Sequence, residues 1–171
     1  LREQWEARGP GLLPEMGRLT DVGVVPETAD IVLAAPYAGG GGYAYPMQNR
    51  VVLEAGLTNP LPELPETVRL GWLLCQLNAD LPRLAEALPA GRAAPAYRLA
   101  MLAPALAAGA AVELCACNHT TLELALSRWE VADDLPADAA VRVDDWWQAW
   151  LDSSGRWPVA VAALEALLRP S

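Results

Sequence analysis

The spacing of apolar residues divides this 171-residue chain into a helical start, a short strand-forming region and a long helical remainder. Apolar positions in residues 1–20 recur at helical intervals, and Gly9-Pro10-Gly11 is predicted to break that helix in two. The runs 30–35 and 50–55 are rich in β-branched residues and bounded by proline and glycine, which is typical of strands. The fold class is therefore predicted to be α+β and mainly α, in a single domain over residues 1–171.

The two predicted strands are joined by a glycine-rich connection, residues 38–45. Clusters of glycine mark turns and loops because glycine adopts backbone conformations that other residues avoid. We interpret the runs 30–35 and 50–55 as an antiparallel pair, with this connection as a wide hairpin loop. The result is a small antiparallel sheet within a mainly helical protein.

Residues 65–78 are predicted to form the central helix of the fold. Pro65 suits the first turn of a helix, and the carboxylate of Glu66 suits its positive end. The polar residues of this region fall on one narrow stripe of the helical wheel, and the rest of its circumference is apolar. A helix of this kind is usually buried on several sides, so we expect the other helices to pack around it.

The composition argues against several classes of function. The chain has 12 basic and 21 acidic residues, a formal charge of −9, and all of the basic residues are arginine. Without lysine there is neither a lysine-containing P-loop nor a Schiff-base lysine, although a GC-rich coding bias also explains the missing lysine. The acidic balance disfavours nucleic acid and anionic membranes as partners. No apolar run approaches the roughly 20 residues that span a bilayer.

The densest group of chemically reactive side chains is Cys115, Cys117 and the single histidine, His119. In an extended segment these three share one face, as zinc ligands or as a thiol and its base would. The spacing is shorter than in established zinc sites and leaves the fourth ligand undefined, so we expect no cofactor, with zinc as the alternative. The competing interpretation is that the cysteines are small core residues. An odd count of three cysteines favours a reducing, cytoplasmic location.

The glycine-rich connection is the first candidate for a ligand-binding surface. Glycine lets backbone amides approach a ligand closely, and functional loops tend to be long. The stretch matches neither a dinucleotide-binding nor a P-loop pattern, and a simple flexible loop is the favoured explanation. The candidate binding residues are Gly39, Gly40, Gly41, Gly42, Tyr43 and Tyr45.

A tryptophan cluster near the C-terminus is the candidate interface. Trp146 and Trp150 share one face of a predicted helix, Trp147 points about 100° away, and Trp157 follows a turn. Indoles that point in two directions are hard to bury in one small domain, and tryptophan is enriched in interfaces. Core packing is nevertheless the favoured role for most of these side chains, because buried aromatic residues dominate core energetics.

By elimination, the sequence favours a non-catalytic protein-interaction or scaffold module, with a protein partner or a second copy of the chain. Two alternatives stay open. One is a metal-dependent or thiol enzyme centred on Cys115, Cys117 and His119. The other is a small-ligand site in the glycine-rich loop of residues 38–45.

Overall fold

The computed structural model describes residues 1–34, 41–54, 61–129, 131–132 and 135–169. Its elements confirm the α+β, mainly α class. Every helix in the described ranges falls short of the length and apolar character needed to cross a bilayer. The elements, in chain order, are α1 (Arg2–Leu19), β1 (Asp30–Ala34), β2 (Gly42–Tyr45), β3 (Arg50–Glu54), α2 (Glu66–Leu74), α3 (Leu81–Ala87), α4 (Ala93–Ala100), α5 (Leu102–Ala111), α6 (His119–Arg128), α7 (Ala139–Leu151) and α8 (Trp157–Leu168).

The sheet is mixed and has the strand order β1-β3-β2. β1 runs parallel to β3, with Val32 beside Val52, and β2 runs antiparallel to β3, with Tyr43 beside Val52. The predicted antiparallel pairing of the runs 30–35 and 50–55 is therefore wrong. The reason is a third strand, β2, which lies inside the glycine-rich connection and reverses the chain before β3 begins.

α2 is the central helix, as predicted. All of its residues from Thr67 to Leu74 are buried. The helix ends at Leu74, earlier than the predicted boundary near residue 78, and turns follow it. Asn78, in those turns, donates hydrogen bonds to the carbonyls of Gly23 and Val25 at 3.3 and 3.2 Å. These bonds tie the end of the α2 region to the chain that leads into β1.

α1 is continuous, so the predicted break at Gly9-Pro10-Gly11 is wrong. Each proline inside a helix removes one backbone hydrogen bond and normally kinks or ends the helix. Here the fully buried Leu12 and Met16 pack against α2 and hold the helix together. The close approach requires glycine at position 71, because a Cβ atom there would lie 2.7 Å from Leu12 Cδ2.

Trp72 joins α2 to α4, and we predict that its replacement strongly destabilises the fold. The indole is fully buried and its Nε1 donates to the carbonyl of Arg98 at 2.9 Å. Trp72→Ala should lower the free energy of unfolding by about 3–5 kcal/mol, since it leaves a cavity and an unpaired carbonyl. Trp72→Phe, which keeps most of the volume, should cost clearly less. Urea melts in which both variants match the wild type would contradict the central position of α2.

Candidate functional site

A groove lies beside β2, formed by two adjoining cavities of about 760 and 940 Å³. Four residues line both cavities and make them continuous, namely Tyr43, Arg98, Ala132 and Leu135. The first cavity follows β2 and α4, and the second continues towards α6 and the start of α7. Most of the other lining residues are small or apolar, including Gly42, Ala44, Ala79, Leu81, Ala94, Pro95, Leu99, Val131, Ala139 and Ala140.

One wall of the groove is the edge of β2. Glu54 N–H donates to the carbonyl of Gly41 at 2.9 Å. This bond identifies Gly41 and Glu54 as a hydrogen-bonded pair and so determines which residues of β2 bond to β3. In an antiparallel pair, alternate residues bond to the neighbouring strand, so Tyr43 bonds to β3 while Gly42 and Ala44 face away. The backbone groups of Gly42 and Ala44 have no partner in the part of the chain that the structure describes.

The opposite wall is α4, which is fixed rigidly to the core. Tyr97 is buried and its hydroxyl donates to the carbonyl of Cys75 at 3.0 Å. The indole of Trp72 bonds to the backbone of Arg98 and stacks against Trp129, with ring centroids 5.2 Å apart. These contacts fix α4 to the core by hydrogen bonds and aromatic packing.

Arg98 lies at the junction of the two cavities. Its guanidinium carbon is 5.3 Å from the centroid of the Trp72 ring and 6.0 Å from that of Tyr43. One guanidinium nitrogen donates to the carbonyl of Trp129 at 3.5 Å. Such cation–π contacts orient the arginine and hold the half-exposed ring of Tyr43 over the groove.

An ion cluster around a buried carboxylate lines part of the groove. Glu165, on α8, accepts hydrogen bonds from Arg92 at 3.1 Å and from Arg169 at 2.6 Å. Burial pushes the pKa of the Glu165 carboxyl up, but the hydrogen bonds and charges of the two arginines outweigh it and lower the pKa overall. The carboxylate is therefore ionised and links α8 to the loop before α4.

We predict that Glu165 makes the protein sensitive to acid. Its pKa is lowered by folding, so its contribution to stability is present above the ordinary glutamate pKa of about 4.3 and is lost as the pH falls through the folded pKa. Glu165→Gln should lower the free energy of unfolding by about 1–3 kcal/mol at neutral pH, because charge-assisted hydrogen bonds are lost. The variant should also lose less stability than the wild type as the pH is lowered. Glu86→Gln, at an exposed position on α3, is the control. Superimposable pH–stability curves for wild type and Glu165→Gln would rule out this role.

Only some of the candidate residues of the glycine-rich stretch line the groove. Gly39 and Gly40 lie outside the described residues. Gly41 N–H donates to Glu54 Oε2 at 3.2 Å, a contact within the sheet. Gly42 and Tyr43 line the groove, whereas Tyr45 lies beyond it, next to Arg50 of β3. The binding surface therefore involves the end of the predicted loop, where it has become a strand.

The cysteine–histidine candidate is not brought together as a site. Cys115 is half-buried, with its thiol 3.7 Å from the carbonyl of Leu106, and Cys117 is exposed. His119 begins α6 and its Nε2 lies 3.3 Å from Glu123 Oε1. Among the residues that the structure describes, no group of three histidine, cysteine or carboxylate side chains is placed to hold a metal ion. Those described residues also contain no hydrogen bond between a thiol and His119.

The environment of the thiols does not favour a nucleophile. Burial raises the pKa of Cys75 to about 12, and burial with the nearby Cys117 raises that of Cys115 to about 11. The pKa of Cys117 is also raised, by partial desolvation and by the charge of Asp144. Reactive cysteines have lowered pKa values because the thiolate is the nucleophile.

We therefore predict that native thiol titration at pH 8 detects one fast thiol, Cys117, while denaturant exposes all three cysteines. Cys117→Ser should abolish the fast phase, since Cys75 is buried and Cys115 half-buried. A native thiol that reacts faster than free cysteine at neutral pH would revive the thiol-enzyme alternative.

The tryptophan cluster is packed inside the protein. Trp146, Trp147 and Trp157 are buried, and Trp147 exposes only 2% of its surface. Trp146 donates to the carbonyl of Ala160, and Trp150 to that of Leu19. The core role favoured for most of these indoles therefore holds for Trp146, Trp147 and Trp157. Trp157 of α8 contacts the rings of Trp146 and Trp150 on α7. Because three of the four indoles are buried, they give no support to an interface at this position.

No family model, curated protein or solved structure matches this chain. The geometry of the groove is therefore the ground for assigning a function.

Sequence reasoning missed the residues of α4 that form the groove. Ala94, Pro95, Arg98 and Leu99 carry no chemical motif, and their role depends on tertiary packing. The alternation of small and aromatic residues over 42–45 was the available signal for β2.

Proposed function

We propose that this protein is a non-catalytic interaction module that binds an extended, mainly apolar segment of a partner protein in the groove between β2 and α4. The observation that carries the proposal is the edge of β2, whose outward backbone groups at Gly42 and Ala44 face this groove. An extended segment would add to the sheet as a fourth strand, and its main-chain hydrogen bonds would supply affinity.

The lining of the groove suits the side chains of such a segment. Alternate side chains of an added strand point towards the floor, where alanine, leucine and valine side chains would cover apolar groups. The two adjoining cavities run from β2 and α4 to α6 and α7, and we take this span to favour an extended chain over a compact small molecule. Small-ligand binding by the first cavity alone is the competing outcome, since about 760 Å³ falls in the range of small-molecule pockets.

Charge indicates what flanks the bound segment. Arg92 is paired with Glu165, and Arg98 packs on two aromatic rings, so both arginines in the groove are engaged. Glu123 lines the second cavity and is exposed. With a net charge of −9 on the whole chain, basic residues on either side of the apolar segment would speed association. The three free cysteines fit the reducing, cytoplasmic location in which this partner is expected.

The proposal predicts that Ala44→Pro removes peptide binding and leaves the fold intact. The N–H of Ala44 points away from β3, so proline, which lacks this donor, is compatible with the sheet but not with an added strand. The probe is a peptide selected from a random displayed library and then synthesised with blocked termini. Calorimetry should show at least a roughly tenfold loss of affinity, since one main-chain hydrogen bond is worth about 1 kcal/mol and the proline ring also blocks the edge.

Leu33→Pro is the matched control, because it removes an outward N–H from the other edge of the same sheet. It should bind the peptide like the wild type. Equal binding by Ala44→Pro and the wild type, or a library that yields no binder, would refute the proposal. Chemical-shift changes confined to the first cavity on screening small molecules would favour the ligand alternative.

A further inference from the structure

β1, the opposite edge of the sheet, exposes an unusual amount of apolar surface. Ile31, Val32 and Leu33 expose 40%, 40% and 53% of their surfaces, although all three lie within a strand. Natural edge strands are commonly protected by charge, proline or a covering element, because an unprotected edge pairs with other chains. β1 carries one charge, Asp30, which lies 3.4 Å from Arg50 of its own sheet.

The hydrogen bonds between β1 and β3 determine which backbone groups of β1 face away from the sheet. Asp30 N–H donates to the carbonyl of Asn49 at 3.0 Å, so Asp30, Val32 and Ala34 bond to β3. The N–H and C=O groups of Ile31 and Leu33 therefore face away from the sheet. Within the described ranges of the chain, these four groups have no hydrogen-bond partner.

We propose that β1 pairs antiparallel with β1 of a second copy of this chain, around a two-fold axis at Val32. In this register Ile31 of one protomer opposes Leu33 of the other, and the two residues exchange both backbone hydrogen bonds. The two-fold axis repeats that exchange, so all four outward groups of each strand gain partners. The two sheets become one continuous six-stranded sheet, and the interface is isologous.

The strand itself argues for a second copy as the occupant. Its pattern reads nearly the same in both directions around Val32, so Ile31 and Leu33 meet apolar partners on one face and Val32 meets itself on the other. Asp30 opposes Ala34 of the copy, which avoids the like-charge pair that would destabilise an antiparallel ladder. The apolar side chains left exposed in the monomer are thereby matched with each other.

The edge of β2 is not available for the same pairing. Residues of α4 line the same groove as that edge, so a second sheet that approached it would meet α4, and we assign the edge to a single bound segment. Self-association through β1 is therefore independent of the proposed peptide binding at β2. A negative result for peptide binding therefore leaves the dimer proposal standing, and a negative result for the dimer leaves peptide binding standing.

The charge of the protein makes the dimer sensitive to salt. Each protomer has a formal charge of −9, so two copies repel each other at low ionic strength. A contact formed by one short strand is small, and we expect weak association. Added salt screens the repulsion, because it shortens the Debye length, and should strengthen the dimer.

Sedimentation equilibrium across a concentration series tests the dimer. The wild type should associate to a dimer, more strongly in high salt, and Val32→Lys should weaken association roughly tenfold or more by placing like charges on the axis. Val159→Lys is the control at a side chain that is 58% exposed on α8. A wild type that stays monomeric, or a Val32→Lys variant that dimerises like the wild type, would overturn the proposal.

Disulfide trapping tests the register independently of any folding defect. In a Cys117→Ser background, which removes the exposed native thiol, Val32→Cys should cross-link under mild oxidation. The two Cα atoms would lie about 4.5 Å apart, within the range that a disulfide needs. Leu33→Cys in the same background opposes Ile31 of the copy, so its cross-linking should be roughly tenfold slower. Equal rates for the two variants would exclude this register.

Discussion

The burial of α2 is the constraint on which the rest of the structure depends. The helix is packed against α1 through Gly71 and against the sheet through Leu73, and both contacts require glycine on one side of the pair. At Gly42 of β2, a Cβ atom would lie 2.8 Å from Leu73 Cδ1, so glycine lets the strand approach the helix. Trp72 extends the same helix towards α4 through its hydrogen bond to Arg98. The distance between β2 and α4, and with it the groove, is therefore set by α2.

The placement of β3 in the middle of the sheet explains why both remaining edges are exposed. β3 bonds to β1 through one set of alternate residues and to β2 through the other, so its backbone is fully used. Three strands then leave two edges with opposite surroundings. Among the described residues, the β2 edge lines the groove together with α4, whereas the outward backbone groups of β1 have no partner. The two proposals therefore assign different partners to the two edges of one small sheet.

The sequence predicted the fold class and the central helix because both depend on local apolar periodicity, which residues 65–78 show clearly. It did not predict the strand directions, since a run of β-branched residues carries no information on whether its neighbour is parallel. The sequence did not predict β2, because Gly42 and Ala44 have little strand propensity. Close contact with α2 accounts for the small residue at Gly42. The burial of Trp146 could not be foreseen either, because it depends on the packing of α8 on α7, where its indole bonds to Ala160 and contacts Trp157. The groove combines these non-local effects, and none of its lining residues forms a motif that the sequence alone makes recognisable.

Amide hydrogen exchange of the dilute protein, measured residue by residue by NMR, tests the central claim that the β2 edge is unpaired and faces the groove. The account predicts alternation along this strand, with slow exchange at Tyr43, which bonds to β3, and fast exchange at Gly42 and Ala44. Addition of a bound extended peptide should then protect Gly42 and Ala44. Slow exchange at Gly42 and Ala44 in the free protein would show that this edge is already paired, and would contradict the account.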